Sequence, residues 1–205
     1  MQRGHERFFA LASKAGLVRI EVAGAAQLAG PGPKLVVANH PSMLDAPMLS
    51  SLMPQADFVV NAALRANPFL AGCIQAVEYV ANDGGAEVVD TLVGRLEAGR
   101  CVAMFPEGTR SPREGMGPFH RGAAHVALRS GCDLTPVVIR MEPRPLMKGQ
   151  KWYHFPERTV AVSVRVLPPM PPGRHLTGDE SVPVAARRIT AELRHIFERD
   201  LAVER

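Results

Sequence analysis

Two polar side chains that could form a catalytic pair, His40 and Asp45, follow a short apolar run at residues 34–38. Pro41 makes the chain turn directly after the histidine, so we expect His40 in a loop and Asp45 in the first turns of the next helix. A carboxylate bonded to one imidazole nitrogen fixes the tautomer and leaves the other nitrogen as a general base. The pattern therefore predicts base catalysis, although a histidine taken alone is more often a structural loop residue.

A second polar segment follows the apolar run at residues 101–105 and reads Pro106-Glu107-Gly108-Thr109-Arg110. Its glycine permits a positive φ or a close backbone approach, and its arginine offers a planar fork of donors suited to phosphate. Polar groups just beyond strand ends are where α/β sheets place their sites. Taken alone, however, the segment is equally consistent with a surface turn that holds an internal Glu107–Arg110 pair.

Taken together, the two segments resemble the glycerolipid acyltransferase family, whose type member acylates 1-acylglycerol-3-phosphate. The stretch Pro118-Phe119-His120-Arg121-Gly122-Ala123-Ala124 looks like the family's segment after its EGTR motif. Leu134-Thr135-Pro136-Val137-Val138 is similar to the family's fourth motif, a proline-initiated strand. The resemblance covers about residues 34–140.

The resemblance implies a role for each matched residue. His40 would be the general base that deprotonates the acceptor hydroxyl, and Asp45 would orient His40 and stabilise its charged form. The head group of the acceptor would be bound by Glu107, Gly108, Thr109 and Arg110. The implied reaction is O-acyl transfer, in phospholipid biosynthesis, from acyl-CoA or acyl carrier protein to a lysophospholipid such as 1-acylglycerol-3-phosphate. The family needs neither a metal nor a further cofactor.

One motif of the family is altered in this sequence. The family's second motif usually ends its strand with an arginine that contacts phosphate, and here Asn82 or Asp83 stands at that place. Arg65 or Arg121 would then supply the missing positive charge. The other interpretation is an acceptor that is a different alcohol or an amide-linked lipid.

Three alternatives to the lysophospholipid acyltransferase remain open from the sequence. The first is the same chemistry on a non-glycerol lipid acceptor in a secondary lipid or polyene pathway. The second is a thioesterase-like hydrolase, in which His40 activates water in place of an acceptor hydroxyl. The third is a non-catalytic protein that binds lipids or docks a carrier protein.

The elements that must position these residues alternate along the chain. Apolar runs at 34–38, 57–61, 77–81, 101–105 and 134–141 are separated by helical patterns, notably at 86–98, 122–129 and 183–201. This order predicts a single α/β domain over residues 1–205, with a mixed, mostly parallel central sheet flanked by helices. Residues 34–140 would form the motif-bearing core. The clean alternation at 159–167 is typical of an edge or antiparallel strand.

Composition narrows the class of protein further. The chain has 205 residues, 46% of them apolar, a formal charge of +4 and only 5% aromatic residues, so a base-stacking nucleic-acid surface is not expected. The mild basic excess suits an anionic membrane or an acidic carrier. No apolar run is long enough to span a bilayer and no signal peptide is evident, so we expect a cytoplasmic protein with peripheral contact at the inner membrane face. The helix predicted within residues 1–16 carries Phe8 and Phe9 among basic residues and either packs on the domain or lies on a membrane.

Overall fold

A computed structural model describes residues 2–54, 56–61, 80–82, 85–151, 153, 155–176 and 181–202 of the chain. Its strands are β1 (Val18–Ala23), β2 (Lys34–Ala38), β3 (Ala56–Asn61), β4 (Val80–Asn82), β5 (Cys101–Met104), β6 (Leu134–Glu142) and β7 (Val160–Val166). Its α-helices are α1 (Gln2–Lys14), α2 (Ala26–Ala29), α3 (Asp45–Leu52), α4 (Ala86–Glu97), α5 (Gly122–Ser130) and α6 (Val182–Ala202). A short 3-10 turn at Pro172–His175 precedes the last helix.

The strands form one sheet in the order β1-β7-β6-β2-β5-β3-β4. Neighbouring strands run parallel except for β6 and β7, which are antiparallel. The predicted α/β fold with a mixed, mostly parallel sheet is therefore confirmed. The strand predicted at residues 159–167 is antiparallel, as one alternative stated, because β7 runs antiparallel to β6. The edge alternative is wrong, because β1 pairs with the other side of β7.

The centre of the sheet is buried on both faces, as a parallel sheet covered by helices requires. Along β2, Val36 and Ala38 belong to one apolar cluster, and Leu35 and Val37 belong to the other. The first cluster includes side chains of α1 and α3, and the second includes side chains of α4, α5 and α6. Helices thus cover both faces, and no residue of β2 beyond Lys34 is left in contact with solvent.

The first helix packs on the domain with one face and exposes apolar side chains on the other, so packing is confirmed and membrane contact stays a prediction. Phe9 is buried in the core, and α1 lies against α3, where His5 Nδ1 and Ser50 Oγ are 2.9 Å apart. On the outer face Phe8 is 52% exposed and Leu11 is 69% exposed. Within the described ranges, no helix combines the length and apolarity that crossing a membrane would demand.

The register of the sheet determines where a site can form. In the pairing of β2 with β5, Val37 stands beside Met104, so the two parallel strands end at the same edge. The chain leaves β2 at Asn39 and leaves β5 at Phe105. The two polar segments singled out in the sequence are therefore neighbours at the carboxyl edge of the sheet.

Candidate active site

Asn39 explains why the chain leaves the sheet at this point. The backbone pairing of β2 with β6 ends at Ala38 and Val137. The buried Asn39 side chain then donates from Nδ2 to the carbonyl of Ile139 and accepts from the Ile139 N–H, each at 2.8 Å. One amide side chain thus satisfies both backbone groups of Ile139, which leaves the backbone after Asn39 free to turn.

The turn brings His40 and Asp45 together, as their spacing predicts. His40 Nδ1 lies 2.9 Å from Asp45 Oδ2, and Asp45 is the first residue of α3. The same oxygen accepts the Ser42 N–H at 2.8 Å, which closes the loop between strand and helix. With Asp45 ionised, Nδ1–H is the donor, so the imidazole lone pair lies at Nε2. The His40 side chain keeps 19% exposure while Asp45 keeps none.

Burial governs the ionisation of Asp45. It raises the pKa of this carboxyl to about 6, against the opposing effects of the His40 hydrogen bond and charge, the Ser42 N–H and the charge of Arg144. The second carboxylate oxygen, Oδ1, is also buried, and no described group bonds to it. Asp45 therefore has one carboxylate oxygen that is bonded and one that no described group bonds. Its raised pKa brings its protonation close to neutral pH.

The second polar segment contacts His40 through a ring and a carboxylate. Phe105 stacks on the imidazole with ring centroids 4.2 Å apart and an interplanar angle of 19°. Glu107 is buried, and its Oε1 accepts the His40 N–H at 3.2 Å. The stacking limits the rotation of the ring, and the hydrogen bond fixes the backbone from which the ring projects.

Glu107 binds groups of its own chain with both oxygens. Oε1 also accepts from Ser111 Oγ at 2.6 Å, and Oε2 accepts the Gly117 N–H at 2.7 Å. The Glu107–Arg110 pair considered from the sequence is not among the contacts of Glu107. Arg110 Nη1 instead donates to the carbonyls of Leu146 and Met147 at 2.8 and 3.0 Å. The structure thus shows a loop-stabilising role for Glu107, while binding of an acceptor by it stays a prediction.

Gly108 and Thr109 form the exposed tip of this turn. Gly108 adopts φ +64°, a conformation that side-chain-bearing residues rarely take and one of the two alternatives that the sequence left open. A Cβ at this position would also lie 3.2 Å from Cδ2 of His120. Thr109 is exposed beside it, so both residues are accessible to a ligand.

The structure leaves the two arginines considered as substitutes for the family's second-motif arginine untested. Arg65 and Asp83 lie outside the described residues. Asn82 ends β4, and Arg121 is an exposed residue directly before α5, where its carbonyl accepts from the His125 N–H at 3.0 Å. The predicted phosphate contacts of Arg65 and Arg121 therefore stay predictions.

Arg144 is a site residue that sequence reasoning missed. It lies two positions beyond the end of β6 and donates to four backbone carbonyls, those of Pro41, Ser111, Pro112 and Arg113. A single arginine thereby bonds both polar segments. Nothing in the spacing of the sequence indicates this, because backbone carbonyls are present at every residue and leave no pattern.

A groove of about 300 Å³ opens beside the second segment. It carries two basic side chains and is lined by Ser111, Pro112, Arg113, Met147, Lys148 and Gln150. Ser111 connects the groove to His40, since the Ser111 N–H donates to the His40 carbonyl at 2.7 Å. In the part of the chain that is described, no cluster of three or more His, Cys, Asp or Glu residues could bind a metal ion.

Several proteins with assigned activities are similar to this chain. The model of the family described as Acyltransferase matches residues 19–140, which include both polar segments. Human 1-acyl-sn-glycerol-3-phosphate acyltransferase alpha is 30% identical over 190 residues, which are 88% of this chain and 64% of the human protein. This chain therefore spans a little under two thirds of that relative.

Two further similarities bear on acceptor and fold. The lyso-ornithine lipid O-acyltransferase of Pseudomonas aeruginosa is 34% identical over 111 residues, 52% of this chain and 43% of that protein. The crystal structure of the 1-acyl-sn-glycerophosphate acyltransferase PlsC from Thermotoga maritima matches with a TM-score of 0.75 at 22% identity. That match covers 98% of this chain and 80% of the other, and at this identity it shows a shared fold.

Proposed function

Because this chain belongs to the acyltransferase family, we propose that it moves a fatty acyl group from a thioester donor to the hydroxyl of a lysophospholipid-type acceptor. The observation that carries the proposal is the 2.9 Å contact of His40 with Asp45 at the carboxyl edge of the sheet. The names of the human and bacterial relatives, which specify lysolipid acceptors, support this class of substrate.

His40 acts as the general base of the proposed reaction. Nε2 takes the proton of the acceptor hydroxyl while the hydroxyl oxygen attacks the carbonyl carbon of the thioester. Asp45 stabilises the imidazolium that forms and prevents the imidazole ring from flipping. When the tetrahedral intermediate collapses, the carbon–sulfur bond breaks and the thiolate takes the proton back from Nε2. The products are the acylated lipid and the free thiol of CoA or acyl carrier protein.

The surroundings of Ser42 favour direct transfer over an acyl-serine intermediate. Ser42 is the hydroxyl residue closest to the pair in sequence, and it is completely buried. Its Oγ accepts the Leu44 N–H at 3.1 Å, so the hydroxyl belongs to the turn that leads into α3. A nucleophile would need to reach the thioester carbon, which this buried hydroxyl does not.

The basic groove is the proposed site for the acceptor's charged head group. Arg113 and Lys148 give it two positive charges, and Ser111 connects it to the His40 backbone. Arg110 lies beside the groove, since its Nη1 donates to the carbonyl of the lining residue Met147, and the neighbouring Thr109 is exposed. A phosphate would find charge-assisted hydrogen bonds there, which compensates for the arginine that the family's second motif usually supplies.

An amide-linked lysolipid is the second candidate acceptor. Asn82 at the end of β4 stands where the family usually has a phosphate-binding arginine, and one relative is named for lyso-ornithine lipid. A zwitterionic head group needs less positive charge than a phosphate monoester. The hydroxyl chemistry at His40 would be identical for both acceptors.

Contact with a membrane surface is part of the proposal, because both acceptors are membrane lipids. Phe8 and Leu11 are exposed on α1, and Arg3 and Arg7 are exposed on the same helix. Apolar side chains beside basic ones favour an anionic bilayer surface. We therefore propose peripheral attachment at the cytoplasmic face of the membrane.

The test is release of free thiol from acyl-CoA and from acyl carrier protein, each with lysophosphatidate, with lyso-ornithine lipid or with no acceptor. We expect release that requires an acceptor and that falls by roughly 10² to 10⁴-fold in His40→Ala. His195→Ala, which removes an exposed histidine of α6, is the matched control and should keep parent activity. Thiol release without acceptor would identify a hydrolase. Lipid binding with no release from either donor, unchanged in His40→Ala, would identify a binding protein.

A further inference from the structure

Arg144 bonds the two polar segments of the site through their backbones. Its Nη1 donates to the carbonyls of Pro112 and Arg113 at 2.8 and 3.0 Å. Its Nη2 donates to the carbonyls of Pro41 and Ser111 at 3.1 and 3.2 Å. Pro41 directly follows His40, and the other three acceptors directly follow Arg110. Four of the five donors of one guanidinium are thereby used on the two loops.

These bonds reach His40 through a short chain of contacts. Ser111, whose carbonyl Arg144 bonds, donates its N–H to the His40 carbonyl at 2.7 Å. The Ser111 hydroxyl donates to Glu107, which in turn accepts the His40 N–H. A displacement of the loop that Arg144 bonds would therefore move the backbone that carries the imidazole.

Arg144 also acts on Asp45 through its charge. The positive charges that lower the pKa of the buried Asp45 carboxyl are those of His40, on the loop before α3, and Arg144, beyond β6. The fifth donor of Arg144, Nε, is buried without a partner among the described residues, as is Asp45 Oδ1. On the other elements near the pair, Glu107 bonds to the His40 backbone, and His5 of α1 contacts Ser50 further along α3.

We propose that Arg144 is a positioning residue for the acyl transfer. Arg144 joins the His40 loop to the loop after Arg110, and its charge keeps Asp45 in the ionised form that His40 requires. The proposal rests on the function proposed above. It separates two contributions: the geometry of the loops depends on the planar fork of donors, and the ionisation of Asp45 depends on the positive charge alone.

Two variants separate these contributions. Arg144→Gln removes the charge and most of the donors, so we expect kcat to fall by roughly 10 to 100-fold, with the acid limb of the pH profile moved to higher pH. Arg144→Lys keeps the charge but not the fork, so kcat should fall while the acid limb stays at the parent value. Arg158→Gln removes an exposed arginine before β7 and should change neither quantity.

The second measurement is an NMR titration of the His40 imidazole in the parent and both variants, because it does not depend on turnover. We expect the titration midpoint of the pair to rise in Arg144→Gln and to stay at the parent value in Arg144→Lys. If the parent shows no acyl transfer yet these midpoints behave as stated, the proposed function fails, while the effect of Arg144 on the His40–Asp45 pair stands.

The proposal is overturned if folded Arg144→Gln keeps the parent's midpoint and acid limb, or if both variants lose the same activity with no difference in midpoint. In those cases Arg144 would be structural only. If Arg144→Gln does not fold, Arg144→Lys decides: a midpoint displaced from that of the parent, or an unchanged kcat, contradicts the proposal. Circular dichroism and thermal unfolding of each variant establish that it is folded.

Discussion

Asp45 and Asp57 are both fully buried carboxylates, yet the protein surrounds them differently. Asp57, on β3, accepts from Nε and Nη2 of Arg100 at 2.5 and 2.6 Å, a bidentate pair near the amino ends of β3 and β5. Asp45, at the opposite edge of the sheet, has a histidine and one backbone N–H as donors and leaves Oδ1 unbonded within the described residues.

The difference indicates what each carboxylate is for. A bidentate guanidinium is a partner of constant charge, since arginine does not lose its proton at any ordinary pH. A histidine partner can gain and lose a proton, and burial raises the pKa of Asp45 to about 6 because the hydrogen bonds and positive charges around it only partly oppose that effect. The Asp57 pair is therefore suited to holding strands together, and the Asp45 pair is suited to handling protons.

The largest expected effect is on catalysis. We predict that Asp45→Asn lowers kcat by roughly 10³-fold or more, because an amide favours the wrong imidazole tautomer and cannot stabilise an imidazolium. Asp57→Asn should leave kcat per folded molecule unchanged, since this pair lies at the other edge of the sheet. Thiol-release kinetics at neutral pH, normalised to folded protein, measure both. Equal losses in the two variants would remove the distinction between the carboxylates.

The next effect is on stability. Here Asp57→Asn should have the larger effect on the free energy of unfolding and Asp45→Asn the smaller one. Asp57→Asn breaks a bidentate, charge-assisted pair with Arg100, whose side chain keeps 30% exposure, so it should lower the free energy of unfolding by about 2–3 kcal/mol. Asp45→Asn relieves the burial of a poorly bonded charge and should be neutral or stabilising at pH 7. Urea unfolding of both variants and the parent tests this. A large destabilisation by Asp45→Asn would show that its charge supports the fold.

The pH dependence of stability sharpens the comparison. Because the folded-state pKa of Asp45 is raised, the protein binds its proton more tightly when folded, and this contribution to stability is lost as pH rises from about 4 through about 6. As pH rises over this range, the free energy of unfolding of Asp45→Asn should therefore increase relative to that of the parent by about 2–3 kcal/mol. Urea unfolding series at pH 4, 5, 6 and 7 measure the difference, and a constant difference would contradict the raised pKa.

The smallest effect concerns the partner of Asp57. Arg100→Lys keeps the positive charge but loses the two-pronged geometry, so the free energy of unfolding should fall by only about 1 kcal/mol. Arg100→Gln, which removes the charge, should cost several times more. If the two variants are equally stable in urea, the charge of Arg100 contributes little and geometry alone matters.

The sequence was sufficient for the parts of the site that depend on local order. Pro41 and the five-residue spacing predict that a loop histidine meets a helix-start aspartate, and this contact is found. Gly108 permits a positive φ or a close backbone approach, and the positive φ is found. The alternation of strands and helices likewise predicts the sheet. These features follow from steric rules that act over a few residues.

The remaining features depend on contacts between distant segments. The edge alternative for residues 159–167 fails because β1 pairs with β7 from the other end of the chain. The roles of Asn39 and Arg144 could not be predicted, since their partners are backbone groups 100 and 103 residues away. The Glu107–Arg110 pair suggested by proximity in sequence gives way to carbonyls near residue 146.

The bond between Asn39 and Ile139 has a consequence for the newly made chain. Every residue of the two polar segments is synthesised before β6, yet the loop that carries His40 is fixed only when β6 arrives and pairs with β2. Contacts over so long a sequence separation form late in folding. A nascent chain that stops short of residue 139 would therefore hold all the motif residues without an ordered base. The chemistry proposed at His40 would therefore require that β6 has paired with β2.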